Sequence, residues 1–339
     1  MGKASVTAQP VAILGTGAWG TALAIVLCRN GTRVRMRAHQ PGIALELEAQ
    51  RENGNFLPGF LFPPELQVMY DIEAALEGTA SVVVAVPSHV IRSVLASVPR
   101  ASIAGRDWII ATKGLEEGTG LRMSEVVREA LPEARTAVLA GPSLAREVAA
   151  GQPTTVLSAS DDAECAERVR MLFHDVAFRV YTNDDVVGVE LGTALKNVIA
   201  LAAGIAAGMG LGANAHGALL TRGLAETMRL GEALGARRET FLGLAGVGDL
   251  VTTCSSPLSR NRTLGERIGR GVPTAEAIAS MTQVAEGVPT TRSAVQLARA
   301  RGIEMPIAEQ VHRVLFEGLD PHEALRALME RPPRMEGER

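Results

Sequence analysis

Val11-Ala12-Ile13-Leu14-Gly15-Thr16-Gly17-Ala18-Trp19-Gly20 decides the fold of the first half of the chain. Four apolar residues, read as a strand, run directly into glycines spaced G-x-G-x-x-G, and Thr21 to Cys28 continue as an apolar helix. Gly15 permits the tight turn from strand to helix, and Gly17 lets the backbone come close to a pyrophosphate. Gly20 allows helix and strand to pack closely. The free N–H groups and the dipole of the helix start favour an anion. A glycine-rich turn alone is a weak signal. Flanked by a strand and a helix, it points to NAD or NADP held around Gly15, Gly17, Ala18, Trp19 and Gly20.

Which dinucleotide is read about 20 residues further on, where an NAD-specific fold presents an Asp or Glu to the ribose 2′-hydroxyl. Here that place holds Arg33-Val34-Arg35-Met36-Arg37-Ala38-His39, with no acidic residue before Glu46. A carboxylate would repel a 2′-phosphate, whereas Arg37 and His39 attract one. NADP(H) is therefore expected to be accepted at least as well as NAD(H).

Composition bounds the remaining choices. The 339 residues suffice for two domains with real cores. A net charge of −3 gives no nucleic-acid surface. Cys28, Cys165 and Cys254 are few, odd in number and far apart, and the six histidines include no H-x-H or H-x-x-x-H pair. These counts argue against a disulfide framework and against a metal. Met1 to Pro10 lacks the apolar core of a signal peptide, and Val6 stands where a myristoylation motif needs Ser or Thr. The apolar run Val198 to Ala213 is too short and too rich in Gly and Ala for a membrane span. A cytoplasmic protein without a membrane span is expected.

Strand-like runs recur at Val11–Leu14, Arg33–Arg37, Ser81–Val86, Trp108–Ala111, Ala137–Ala140, Thr154–Ser158 and Phe178–Tyr181, mostly with helical patterns between them. Such alternation builds a parallel sheet covered by helices. Val82-Val83-Val84-Ala85-Val86 has no polar alternation, as suits burial on both faces. After Val189 every pattern is helical: Glu190–Met209, His216–Leu234, Pro273–Met281, Val288–Arg301, Ala308–Glu317 and Pro321–Glu330, followed by a frayed tail from Arg331. The fold class is α/β, a Rossmann-type doubly wound parallel sheet followed by an all-helical C-terminal domain. Residues 1–188 are assigned to dinucleotide binding and 189–339 to substrate and catalysis.

Ligands of open α/β sheets bind beyond the carboxyl ends of the strands. Pro87-Ser88-His89, Ala111-Thr112-Lys113-Gly114 and Gly141-Pro142-Ser143 all fall there. Lys113, at a strand end between Thr112 and Gly114, is a site candidate. Ser143 reads as a helix N-cap, a role compatible with binding, and His89 as a loop residue. In the second half, Lys196 and Asn197 interrupt an otherwise apolar helix. A buried lysine is costly unless paired, and burial moves its pKa into the range of proton transfer. Gly246-Val247-Gly248-Asp249-Leu250 places a carboxylate in a glycine-rich turn, where it can orient Lys196. Ser259, Arg260 and Asn261 can hold a phosphate, for which the arginine fork is suited.

These segments, with Asn55-Phe56-Leu57-Pro58-Gly59, Gly141–Ala150 and Val284-Ala285-Glu286-Gly287, resemble the bacterial-type NAD(P)-dependent glycerol-3-phosphate dehydrogenase family. The likeness extends from about Pro10 to about Glu330. It implies reversible reduction of dihydroxyacetone phosphate to sn-glycerol 3-phosphate, feeding phospholipid synthesis. It also implies Lys196 as proton donor and acceptor, and Lys113 in contact with both substrate and cofactor. Catalysis would rest on Lys196, Lys113 and Asp249. The substrate would meet these three with Gly141, Ser143, Ser259, Arg260 and Asn261; Ala145, Arg260, Val284 and Glu286 would join the cofactor site, and a homodimer is possible. A 3-hydroxyacid or 6-phosphogluconate type of dehydrogenase shares the two-domain plan, but resembles a pattern with the asparagine one helical turn after the lysine. A non-catalytic dinucleotide sensor would not need Lys196, Lys113 and Asp249 together.

Overall fold

The computed structural model describes residues 9–281, 283–332 and 335. The expectations for the segment before Gln9 and for most of the frayed tail lie outside the described residues. The chain forms two compact units: it leaves the first at Thr112–Lys113, returns to it at Arg122–Met123, and passes finally to the second at Val186–Val187. Residues 113–122 thus group with the helical unit, although they lie within the stretch assigned from sequence to dinucleotide binding.

The first unit is built on β1 (Val11–Leu14), β2 (Val34–Arg37), β3 (Leu66–Met69), β4 (Ser81–Val84), β5 (Asp107–Ile110), β6 (Arg135–Ala140), β7 (Thr154–Ala159) and β8 (Phe178–Asn183). They lie in the order β3-β2-β1-β4-β5-β6-β7-β8. Between them run α1 (Ala18–Arg29), α2 (Pro41–Gln50), α3 (Ile72–Leu76), α4 (Ile91–Ala96), α5 (Met123–Ala130), α6 (Ala145–Ala149) and α7 (Ala163–Phe173). The strand order reverses between β1 and β4, the topological switch point where an open sheet takes its ligand. Residues Val82 to Val84 are fully buried, as their unbroken apolar run predicts.

Two features differ from the sequence reading. Strand β7 runs antiparallel to β6, with Val138 opposite Ala159. The connecting helix α6 has five residues and spans only ~7 Å, well short of the ~20 Å of a six-residue strand. It does not carry the chain back for a parallel return. Strand β3 was not anticipated, because Leu66-Gln67-Val68-Met69 alternates over too few residues to stand out.

The second unit consists of α8 (Val186–Gly208), α9 (Ala213–Ala233), α10 (Arg238–Leu242), a π-type turn at Leu244–Gly248, α11 (Asp249–Ser255), α12 (Arg260–Gly269), α13 (Thr274–Ala279), α14 (Gly287–Ala300), α15 (Pro306–Phe316) and α16 (Pro321–Met329). Helix α8 is long and apolar enough to cross a membrane by length and composition, but 89% of its apolar window is buried inside the protein. It is the central helix of this unit's core.

Helices α8 and α12 cross on paired G-x-x-x-G steps. A Cβ at Gly204 would stand 2.1 Å from the Arg262 carbonyl oxygen, and one at Gly265 would stand 2.2 Å from that of Leu201. Gly208 and Gly269 repeat the arrangement one turn on. Backbone therefore meets backbone, and the first turn of α12 is held close to the middle of α8. Helices α10, α11 and α12 had been missed, because their glycines and polar residues read as turns.

Candidate active site

In the sheet unit two of the three motif glycines are required by close backbone approach. Gly15 has a φ of +121°, and a Cβ there would lie 2.4 Å from the Ala85 carbonyl oxygen. Gly20 packs on the Gly15 carbonyl at the same hypothetical distance, 2.4 Å, whereas a Cβ at Gly17 meets nothing within 4 Å. Gly17 caps α1 without a side-chain acceptor, so the N–H groups of the first turn are left for an anion. The Trp19 indole Nε1 is buried with no hydrogen-bond partner. An open backbone cradle and an orphaned donor fit a dinucleotide. Asn53, missed from sequence, pins this loop: its fully buried amide donates to the Thr16 carbonyl and to Thr21 Oγ1, both at 2.8 Å.

The register pairs Leu14 with Arg37, and Gly15 N donates to the Arg37 carbonyl at 3.2 Å. The basic end of β2 therefore stands beside the glycine turn. Arg37 Nε donates to the Tyr70 carbonyl at 3.3 Å, with its guanidinium 5.7 Å from the Tyr70 ring centre, and His39 is exposed. Arg35 is turned away onto the Ala74 carbonyl at 3.0 Å. At the end of β6, Gly141 has a φ of +140°. Ser143 is not the cap of α6. Its hydroxyl donates to the Gly141 carbonyl at 2.9 Å, and Leu144 occupies the cap position ahead of Ala145.

In the helical unit, Gly192 lets the turn before Asp249 lie on α8: a Cβ there would stand 2.5 Å from the Ala245 carbonyl oxygen. One helical turn later is Lys196, 6% exposed, which donates to Asp249 Oδ1 and, at 2.7 Å, to Thr253 Oγ1. It does not snorkel to the surface. Asp249 is 1% exposed, and its other oxygen accepts from Lys113 Nζ at 3.0 Å. One buried carboxylate thus joins two lysines. Burial pulls the Lys196 pKa down to about 7; Asp249 opposes that shift and the Lys113 charge adds to it. Thr253 lies four residues beyond Asp249 on α11, a spacing visible in sequence had that helix been recognised.

Ser259 caps α12, its hydroxyl accepting from Arg262 N at 3.3 Å. Arg260 is exposed on the first turn of that helix. Asn261 is buried: its amide donates to Asn197 Oδ1 and its carbonyl accepts from Gly287 N, both at 2.9 Å. Asn261 therefore ties α8 to the start of α14, where Val284 and Glu286 precede the helix.

A sheet with a dinucleotide cradle, joined in one chain to a buried lysine of near-neutral pKa, defines an oxidoreductase of the nicotinamide-dependent dehydrogenase class. The chain matches the family models for the N-terminus (residues 10–166) and the C-terminus (residues 185–326) of NAD-dependent glycerol-3-phosphate dehydrogenase. It is 50% identical over 329 residues to glycerol-3-phosphate dehydrogenase [NAD(P)+] of Thermobifida fusca, covering 96% of this chain and 98% of that one. The namesake in Geobacillus kaustophilus is 50% identical, covering 97% and 96%. The crystal structure of glycerol-3-phosphate dehydrogenase from Coxiella burnetii, 43% identical, superposes with a TM-score of 0.92 over 96% of this chain and 99% of that one. The chain belongs to the NAD-dependent glycerol-3-phosphate dehydrogenase family.

Proposed function

We propose that this protein reduces dihydroxyacetone phosphate reversibly to sn-glycerol 3-phosphate, with Lys196 as the proton donor. The observation that carries the reading is the buried contact of Lys196 with Asp249, with Lys113 on the opposite carboxylate oxygen. The bound nicotinamide supplies or accepts hydride at the carbonyl carbon. As charge develops on the carbonyl oxygen, the Lys196 ammonium stabilises it and then donates a proton, a role worth ~10²–10⁴-fold in rate. Asp249 and Thr253 hold the Lys196 nitrogen in place, and Lys113 adds positive charge. Arg260, exposed and bidentate in its reach, takes the substrate phosphate with Ser259 and Asn261, fixing the carbonyl for reaction. Gly141 and Ser143 complete the substrate contacts. Ala145, Val284 and Glu286 join the glycine loop in holding the dinucleotide, with Arg37 and His39 on a 2′-phosphate.

The product serves phospholipid synthesis in the cytoplasm. Oxidation of NADPH or NADH is measured with dihydroxyacetone phosphate beside the keto forms of unphosphorylated 3-hydroxy acids, and reduction of NADP+ or NAD+ with the 3-hydroxy acids themselves. Turnover is expected with the triose phosphate alone, and Arg260→Ala should sharply raise its KM. Equal turnover with an unphosphorylated substrate sinks the reading.

A further inference from the structure

Residues 113–122 form a small hairpin closed by the Leu115–Arg122 bridge and by Glu116 N donating to the Leu121 carbonyl at 2.8 Å. Its first residue is Lys113. Leu115, 1% exposed, is buried in the helical core. At its far end Arg122 pairs with Glu190 of α8 at 2.9 Å, with side chains 13% and 5% exposed. Lys196 lies six residues further along the same helix. Two ion pairs therefore fasten one hairpin to one helix: Arg122 directly on Glu190, and Lys113 through Asp249 on Lys196.

We propose that Arg122 and Glu190 are positioning residues that hold Lys113 on Asp249 and so set the proton affinity of Lys196. The inference rests on the dehydrogenase reading of this site. A buried ion pair constrains geometry strongly because releasing one partner strands a charge in a low-dielectric interior. Glu117 with Arg292, and the Ser293 hydroxyl donating to the Glu116 carbonyl at 3.2 Å, fasten the hairpin tip to α14. Leu115, next to the Lys113–Gly114 step, adds apolar contact at the near end. Arg122 stands directly across the bridge from Leu115, so its pairing with Glu190 fixes the base of the hairpin and with it the height of Lys113 over Asp249. When that base loosens, Lys113 leaves the carboxylate, the repulsion on Lys196 falls, and Asp249 is left to Lys196 alone. Both changes raise the proton affinity of Lys196.

The test compares Arg122→Met, Glu190→Gln and Arg122→Lys in the full chain. Positioning predicts that Arg122→Met and Glu190→Gln both move the falling limb of the reduction pH profile upward, because both release Lys113. A direct field effect moves the two limbs in opposite directions, since one variant removes a cation and the other an anion. Each variant should lose about 10- to 100-fold in kcat/KM for the triose phosphate, with the Kd for dinucleotide unchanged and Arg122→Lys recovering part of the loss. Hydrogen exchange of the 113–122 peptide should quicken in the first two variants, a readout independent of activity. Opposite limb shifts, or an unmoved limb with unchanged exchange in folded protein, overturn the proposal. A parent inactive on the triose phosphate overturns the function instead, and the exchange data then decide the anchoring alone.

Discussion

The dinucleotide cradle and the lysine–aspartate cluster solve the same problem, placing charge where a ligand needs it, by opposite means. The cradle uses backbone from one continuous stretch, Gly15 to Gly20, and its geometry depends on the absence of side chains at Gly15 and Gly20. The cluster uses side chains brought from residues 113, 196, 249 and 253, held by a carboxylate that is 1% exposed. Backbone cradles are tolerant of their surroundings, because the turn carries its own donors. A buried charge cluster depends on every element that supports it.

The sharpest way to break the contrast is to remove the cluster's centre. Lys196→Met keeps the volume of the side chain and loses its charge. It should lower kcat by ~10²–10⁴-fold while dinucleotide affinity, measured by fluorescence titration, stays at the parent value. A folded variant with near-parental kcat removes Lys196 from the chemistry.

Acidity gives the next largest effect. As proton donor, Lys196 must be protonated for reduction, and burial holds its pKa at about 7. The reduction rate should therefore fall as pH rises through about 7, approaching tenfold per unit above it. Oxidation of glycerol 3-phosphate, which needs the neutral amine, should rise through the same pH. Dinucleotide Kd measured over the same range should follow neither limb. Parallel limbs for both directions of reaction would assign the pKa to another group.

Gly265→Val tests whether support from a distance matters. The new side chain meets the Leu201 carbonyl and must push α12 from α8. Stability should fall by about 1–3 kcal/mol, and the KM for the triose phosphate should rise because Arg260 and Asn261 move with α12. An unchanged KM in this variant separates the helix crossing from the phosphate site. The smallest effect belongs to the cradle's edge. Arg37→Ala should weaken NADPH by about tenfold or less, the worth of one exposed charge-assisted contact, and leave NADH unchanged. Equal losses with both cofactors place Arg37 away from the 2′-phosphate.

Much of this molecule is legible in its sequence. The strands at 11–14 and 81–84 announce themselves by the apolar runs Val11–Leu14 and Val82–Val84, and the glycine spacing gives the turn between β1 and α1. Lys196 stands out because a charge within the largely apolar stretch 191–203 has to be either paired or functional. Less visible was everything that depends on glycine acting as a contact surface. Gly246 and Gly248 read as a glycine-rich turn, but nothing in the spacing shows its packing: a Cβ at Gly246 would lie 1.8 Å from the Phe241 carbonyl oxygen. Ser143 reads as a cap but makes a turn instead, because capping residues and turn residues are the same types.

The sequence by itself determined the alternation that makes the mostly parallel sheet, the glycine turn between β1 and α1, the basic end of β2 and the identity of the buried lysine, because each is written in local spacing and periodicity. Only the tertiary structure decided that Asp249 is shared between Lys113 and Lys196, that residues 113–122 belong with the helices, that β7 runs against β6, and that Asn261 is tied to Asn197 and Gly287. Those outcomes join residues between 17 and 177 positions apart. They depend on how closely two backbones can approach and how a buried charge finds its partner, and neither quantity has a period along the chain.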